Sequence, residues 1–155
     1  MNKALIYDSS FLVGLIDEGD KWHQTALEIH SSISSSEFKI VYFDCVANEV
    51  ISVLGKRCEY KKESESFPDK IEKFKAIIPK EDITWIYLDV EDHYDEILKT
   101  MKGSFGKLNF HDSLICIAAK KRNLRYIVSF DGDFDDAEDL IRIKEKKDFD
   151  KVQYY

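Results

Sequence analysis

Four acidic residues stand where a solvated surface does not explain them: Asp8, Glu49, Asp112 and Asp131. Asp112 is the sharpest case. It falls within Asn109 to Lys121, Asn-Phe-His-Asp-Ser-Leu-Ile-Cys-Ile-Ala-Ala-Lys-Lys, which reads as a core helix with Asn109 as its N-cap. At about 100° per residue, Asp112 shares a stripe with Ile115, Cys116 and Ala119. A carboxylate in the first turn gains only ~0.3–1 kcal/mol from the helix dipole, whereas burying an unpaired charge costs several kcal/mol. Drawn together, four carboxylates would repel, and without a cation at least one would take up a proton. A hard divalent ion, Mg²⁺ or Mn²⁺, resolves that conflict, since it prefers oxygen ligands and keeps waters of its own. Such a centre suits phosphodiester hydrolysis by metal-activated water.

The elements must then bring these acids together. Lys3 to Tyr7 reads as a buried strand with Asp8 just past its carboxyl end. Ser9 or Ser10 caps a short helix to Ile16. Asp17 to Asp20 is a turn, and a helix from Lys21 to Ile33 follows with Trp22, Ala26, Ile29 and Ile33 on one face. Ser31 to Ser36 reads as a loop. Lys39 to Phe43 is the next strand, and Asp44 caps a helix to Leu54 with Glu49 at the edge of its apolar stripe. Cys58 to Lys70 reads as a loop or frayed helix. Ile71 to Ile78 is a short helix before Pro79, and Ile83 to Leu88 is strand-like. Asp89 caps a helix to Met101 with Ile97, Leu98 and Met101 inward. Tyr126 to Val128 is a short buried strand that ends at Ser129-Phe130-Asp131-Gly132-Asp133-Phe134, and Leu140 to Ile143 is an edge strand. Lys144 to Tyr155 alternates charges and aromatics. The alternation predicts a three-layer α/β/α sandwich with a mainly parallel sheet, as one domain over residues 1–155. Sites in such sheets form outside the carboxyl ends of the strands, where these acids fall.

Size and charge narrow the class. At 155 residues, 44% hydrophobic and 13% aromatic, the chain is long enough for a real core and is not a disordered segment. No run is long enough to span a membrane, and the first apolar run is too short for a signal peptide. Cys45, Cys58 and Cys116 are odd in number and unpaired in spacing, which predicts reduced thiols and a cytoplasmic protein. The net charge of −7 argues against broad electrostatic coating of a polyanion, though not against a local nucleic-acid site.

The ordered set of segments resembles the PIN-domain ribonucleases, close in layout to the VapC-type toxins of toxin–antitoxin pairs. Ile6-Tyr7-Asp8-Ser9-Ser10-Phe11-Leu12 matches the family's first strand, aspartate and helix start. Asp20-Lys21-Trp22-His23 with Ala26-Leu27 matches its next helix, and Asn48-Glu49-Val50 its glutamate. Asp112-Ser113-Leu114-Ile115 with Ala118-Ala119 matches the third acid, and Ile127 to Phe134 the closing strand, hydroxyl and acids. The resemblance covers nearly the whole chain. It implies a Mg²⁺- or Mn²⁺-dependent endoribonuclease in which Asp8, Glu49, Asp112 and Asp131 hold the metal, directly or through water. Asp133 would assist, and Ser10 and Ser129 would orient a carboxylate or a metal-bound water. It also implies an RNA substrate, a homodimer and a silencing antitoxin. The chain departs from the usual toxin in its acidity and in the extra length of Cys58 to Pro79.

Plainer readings stand beside these. Asp8 could cap the following helix, Glu49 could pair with a base at the rim, and Asp133 could be an ordinary turn residue. His111 points about 100° away from Asp112 and reads as a surface or packing histidine, and His23 as a first-turn residue. Trp22 and Trp85 read as core or dimer surface rather than base-stacking platforms. The basic runs Lys56, Arg57, Lys61, Lys62 and Lys120, Lys121, Arg122, Arg125 read as solvated faces, either of which could instead grip RNA phosphates. The functional alternatives are an orphan PIN nuclease and a non-catalytic RNA- or protein-binding module on the same fold. A calcium loop at Asp131 fails because Asp136 and Arg142 replace its glycine and glutamate. A phospho-aspartate enzyme fails because Ser10 stands where its second acid belongs.

Overall fold

The computed structural model describes residues 3–154. Met1, Asn2 and Tyr155, the ends of the expected domain and of the charged tail, lie outside them. The strands are β1 (Ala4–Tyr7), β2 (Lys39–Phe43), β3 (Ile83–Thr84), β4 (Tyr126–Val128) and β5 (Ile141–Ile143). They form a five-stranded sheet in the order β3-β2-β1-β4-β5, parallel throughout. β1 lies at the centre, with Ile6 opposite Val41 on one side and Ile127 on the other. A strand covered on both faces and both edges has no polar side, and all four residues of β1 are buried.

The helices are α1 (Ser9–Ile16), α2 (His23–Ser34), α3 (Asp44–Tyr60), α4 (Phe67–Ile77), α5 (Val90–Gly103), α6 (Phe110–Lys121) and α7 (Lys146–Val152). α1 packs against α2, α3 and α4, and α7 joins α2, which makes one layer; α5 and α6 pair as the other. The buried apolar residues form one continuous cluster between and around these layers. The chain runs outward from β1 through β2 to β3, then crosses back to β4 on the other side. β1 and β4 therefore flank the point where the strand order reverses, the usual place for a site in an open parallel sheet.

Several boundaries depart from the expectations. α3 runs six residues past Leu54 to Tyr60, because Cys58 is buried one turn beyond Leu54 and extends the apolar stripe. Cys58 to Lys70 is neither loop nor frayed. It closes α3, forms a short 3-10 turn at Ser64–Ser66 and opens α4 at Phe67. Ser31 to Ser34 form the last turn of α2. The strand expected over Ile83 to Leu88 keeps two residues and turns into a 3-10 helix at Tyr87–Asp89. The tail carries α7, with Phe149 and Val152 buried. Leu98, expected inward, is exposed. No helix among the described residues is long and apolar enough to cross a membrane.

Candidate active site

Asp8 is the first residue past β1, and its backbone N–H continues the ladder to the Val128 carbonyl at 3.0 Å. Its side chain is buried. Asp8 Oδ2 accepts hydrogen bonds from Ser129 Oγ at 2.6 Å and Ser10 Oγ at 2.9 Å. The two hydroxyl oxygens lie 3.1 Å apart. Each has a single proton and gives it to Asp8, so this closeness reflects convergence on one oxygen rather than a third bond. As acceptors, Ser10 Oγ takes the Phe130 N–H and Ser129 Oγ takes the Asp131 N–H, both at 3.0 Å. The loop after β4 is thus tied through two serines to the acid after β1. Burial raises the Asp8 pKa, the bonds from Ser129, the Ser9 N–H and Ser10 oppose it, and the charge of Glu49 adds to the rise.

Asp112 opens α6 through a capping box. Asn109 Oδ1 accepts the Asp112 N–H at 2.9 Å, and Asp112 Oδ2 accepts the Asn109 N–H at 3.0 Å. Asp112 is 7% exposed. Burial pushes its pKa up to about 6 against the Asn109 bond, and the charges of Asp8, Asp131 and Glu49 push the same way. The charges of Asp8, Asp131 and Glu49 therefore all reach Asp112, although the four are far apart in sequence. Glu49 is exposed in the second turn of α3, and Asp131 is half-buried with Oδ1 accepting the Asp133 N–H at 2.9 Å. Asp133 itself is exposed, and its charge acts on Lys107.

Among the described residues, no three His, Cys, Asp or Glu side chains form a group that could grip one ion at once. Asp112 and Asp131 each hold one oxygen in a local turn and leave the other without a hydrogen-bond partner among the described residues. Hard oxygen donors, mutual repulsion and an acid that stays protonated up to about pH 6 fit a divalent cation held partly through its own waters.

Other polar residues fall differently from their sequence reading. Asp44, expected as a helix cap, is buried, and it accepts the Ile86 and Tyr87 N–H groups, each at 3.0 Å. The Tyr87 hydroxyl in turn lies 3.0 Å from His111 Nε2, and so Tyr87 links Asp44, the first residue of the helix of Glu49, to the helix of Asp112. Nothing in the local pattern around Tyr87 signalled this bridge. Arg57, counted in a basic run, is taken up by Asp17 at 3.1 Å and Asp20 at 2.6 Å, and Lys70 also meets Asp17 at 3.1 Å. Lys120 pairs with Asp139 at 3.0 Å. The three cysteines are free thiols; burial pushes those of Cys45 and Cys116 up to about 12. His23 does more than begin a helix, since its Nδ1 lies 2.8 Å from the Gly14 carbonyl.

The family model described as "PIN domain" matches residues 5–140. Among curated proteins, none matches the chain. Among solved structures, VapC20 of Mycobacterium tuberculosis, described as a sarcin–ricin loop cleaving toxin, shares 21% identity at a TM-score of 0.67. The match covers 88% of this chain and 96% of that one. A chain of VapBC2 from Rickettsia felis, bound to a DNA fragment from their promoter, shares 16% identity at a TM-score of 0.66, over 90% of this chain and 97% of that one. At such identities the likeness is one of fold.

Proposed function

The chain belongs to the PIN domain family, and from that premise we propose that it is a Mg²⁺- or Mn²⁺-dependent endoribonuclease, the toxin of a toxin–antitoxin pair. The observation that supports this most is the state of Asp112: buried, raised to about 6, and under the charge of Asp8, Asp131 and Glu49. A protein with no cation to hold would gain by replacing one of these acids. Asp8, Glu49, Asp112 and Asp131 would hold the ion, directly or through water, with Asp133 at the rim. When bound, the ion activates water, polarises the phosphoryl group and stabilises the leaving oxygen. Ser129 and Ser10 fix the Asp8 carboxylate and, through the Phe130 and Asp131 N–H groups, the loop that carries Asp131. The Asn109 box fixes Asp112 at the first turn of α6. The exposed side chains of Trp85, Leu88 and Tyr94 offer apolar surface for the expected homodimer, and an antitoxin segment would close over the acids.

The test is RNA cleavage by the purified protein with Mg²⁺, with Mn²⁺ and with a chelator, beside Asp112→Asn. Cleavage that needs the metal and disappears in the variant is the expected result. Cleavage that survives in a folded Asp112→Asn protein overturns the mechanism. A second reading, a non-catalytic binding module, draws on the lack of a three-ligand cage among the described residues. It predicts RNA binding without cleavage and no Mn²⁺ site that depends on these acids.

A further inference from the structure

Trp22, the residue before α2, is 39% exposed, yet its ring is held in place. Its indole stacks on Phe130 with ring centroids 4.9 Å apart and planes 13° from parallel. Phe130 also packs on Phe11 at 5.7 Å. Beneath them lies Gly14 of α1, where a Cβ would come within 3.3 Å of the Phe130 ring and 3.5 Å of Trp22 and Ala26. The glycine lets both aromatics sit close against the helix. Lys21 Nζ lies 5.3 Å from the centre of the indole. The stack is continuous with the acid cluster, because Phe130 sits between Ser129 and Asp131 and donates its N–H to Ser10, which donates to Asp8.

Resting on the RNA reading above, we propose that Trp22, braced by Phe130, is a stacking platform for an unpaired nucleobase of the RNA strand entering the carboxylate site, with Lys21 contacting a phosphate. Charge supports this occupant. At −7, with its acids gathered where the scissile phosphate must come, the protein's phosphate contacts work against its own overall charge, so a contact that needs no charge adds more to RNA affinity. Stacking on an aromatic face is insensitive to salt and accepts any base. When a base takes the indole face, the Lys21 ammonium moves from the ring to the neighbouring phosphate. The platform places the strand, and the acids act on it.

The experiment uses Trp85→Phe, which leaves Trp22 as the sole tryptophan, in an Asp112→Asn background with Mg²⁺, titrated with short single-stranded RNA. Trp22 fluorescence is expected to be quenched on binding. In the parent protein, Trp22→Leu keeps apolar contact with Phe130 but loses the flat ring. It is expected to raise the dissociation constant and KM about 10-fold, within the range of about 5- to 150-fold for a lost base stack. kcat should change far less, Trp22→Phe should restore most of the affinity, and Lys21→Ala should flatten the salt dependence by about 0.7 in slope. Wild-type cleavage with unchanged KM in a folded Trp22→Leu protein, or RNA binding without quenching, overturns the platform and leaves the nuclease reading standing. Quenching without any metal-dependent cleavage supports the platform and removes the nuclease reading. Quenching that follows protein concentration in the absence of RNA assigns Trp22 to a contact between copies and overturns the proposal.

Discussion

The Tyr87 hydroxyl lies 3.0 Å from His111 Nε2 while the Tyr87 N–H donates to Asp44 at 3.0 Å, so one residue ties the start of α3 to α6, the helices of the two helical acids. His111 precedes Asp112, and Asp44 opens the helix that carries Glu49. Tyr87→Phe removes the hydroxyl bond to His111 and keeps the ring. We expect a loss of about 1 kcal/mol in stability. We also expect a rise in the Mg²⁺ concentration needed for half-maximal cleavage, because His111 adjoins the proposed ligand Asp112. An unchanged Mg²⁺ titration would show that the phenol does not set the spacing of these acids.

Asp112 makes a pH-dependent contribution whose sign is unusual for a carboxylate. Its folded pKa of about 6 lies above the unfolded value of about 3.9. Its contribution is therefore fully present below about pH 4 and is lost as pH rises through about 6, because the folded state binds the extra proton. Asp112→Asn should stabilise the metal-free protein at pH 7 by on the order of 2–3 kcal/mol, with the gain vanishing below about pH 4. Denaturant melts at the two pH values measure this. Mg²⁺ should stabilise the parent and not the variant.

Asp17 has the opposite sign. Burial would raise its pKa, but the bonds from Arg57, Lys70 and the Gly19 N–H hold it below the usual range. Its contribution is present at neutral pH and lost as pH falls below about 4. Asp17→Asn should lower the melting temperature at pH 7 and lower it less at pH 3, since the contribution is lost only as pH falls through the depressed folded pKa. Equal losses at both would mean that packing, not charge, matters there.

Ser129→Ala removes the 2.6 Å bond to Asp8 and leaves the Asp131 N–H without its acceptor. Activity and metal affinity should fall about 10- to 100-fold, the range seen when a ligand loses its outer hydrogen bond. Ser129→Thr keeps the hydroxyl and should recover much of the loss. Calorimetry with Mn²⁺ separates affinity from turnover, and a Thr variant as poor as Ala would rule out the hydroxyl as the cause.

Phe105 is 96% exposed at the end of α5 with φ of 54°, where a glycine would be at ease. The Gly106 N–H returns to the Met101 carbonyl at 2.9 Å, closing the helix around it. Phe105→Gly should stabilise the protein by about 0.5–1 kcal/mol, a rise of roughly 1–4 °C in melting temperature. A fall would mean that the phenyl makes a contact in solution, for instance with a second copy.

Much of the architecture could be read from apolar runs. β2 and β4 match their expected limits, and the Asn109 box follows from a cap residue and an acid three positions later. Asp112 was legible for the same reason that it matters: a charge interrupts an apolar stripe. Tyr87 and Asp44 were not legible, because each acts on partners 24 to 43 residues away and their neighbours show no periodic signal. The Asp17–Arg57–Lys70 group was hidden in charge runs that resemble any solvated face. Only packing distinguishes a paired arginine from a free one.

Asp8 receives its shortest hydrogen bond from a serine 121 positions later, just past the strand that lies next to β1. A nascent chain emerging from the ribosome therefore carries its first acid long before that acid has its partners. Assembly of the centre waits until the segment through Asp131 has been synthesised and β4 has docked. Under the nuclease activity proposed above, an unfinished polypeptide has no completed centre with which to cut.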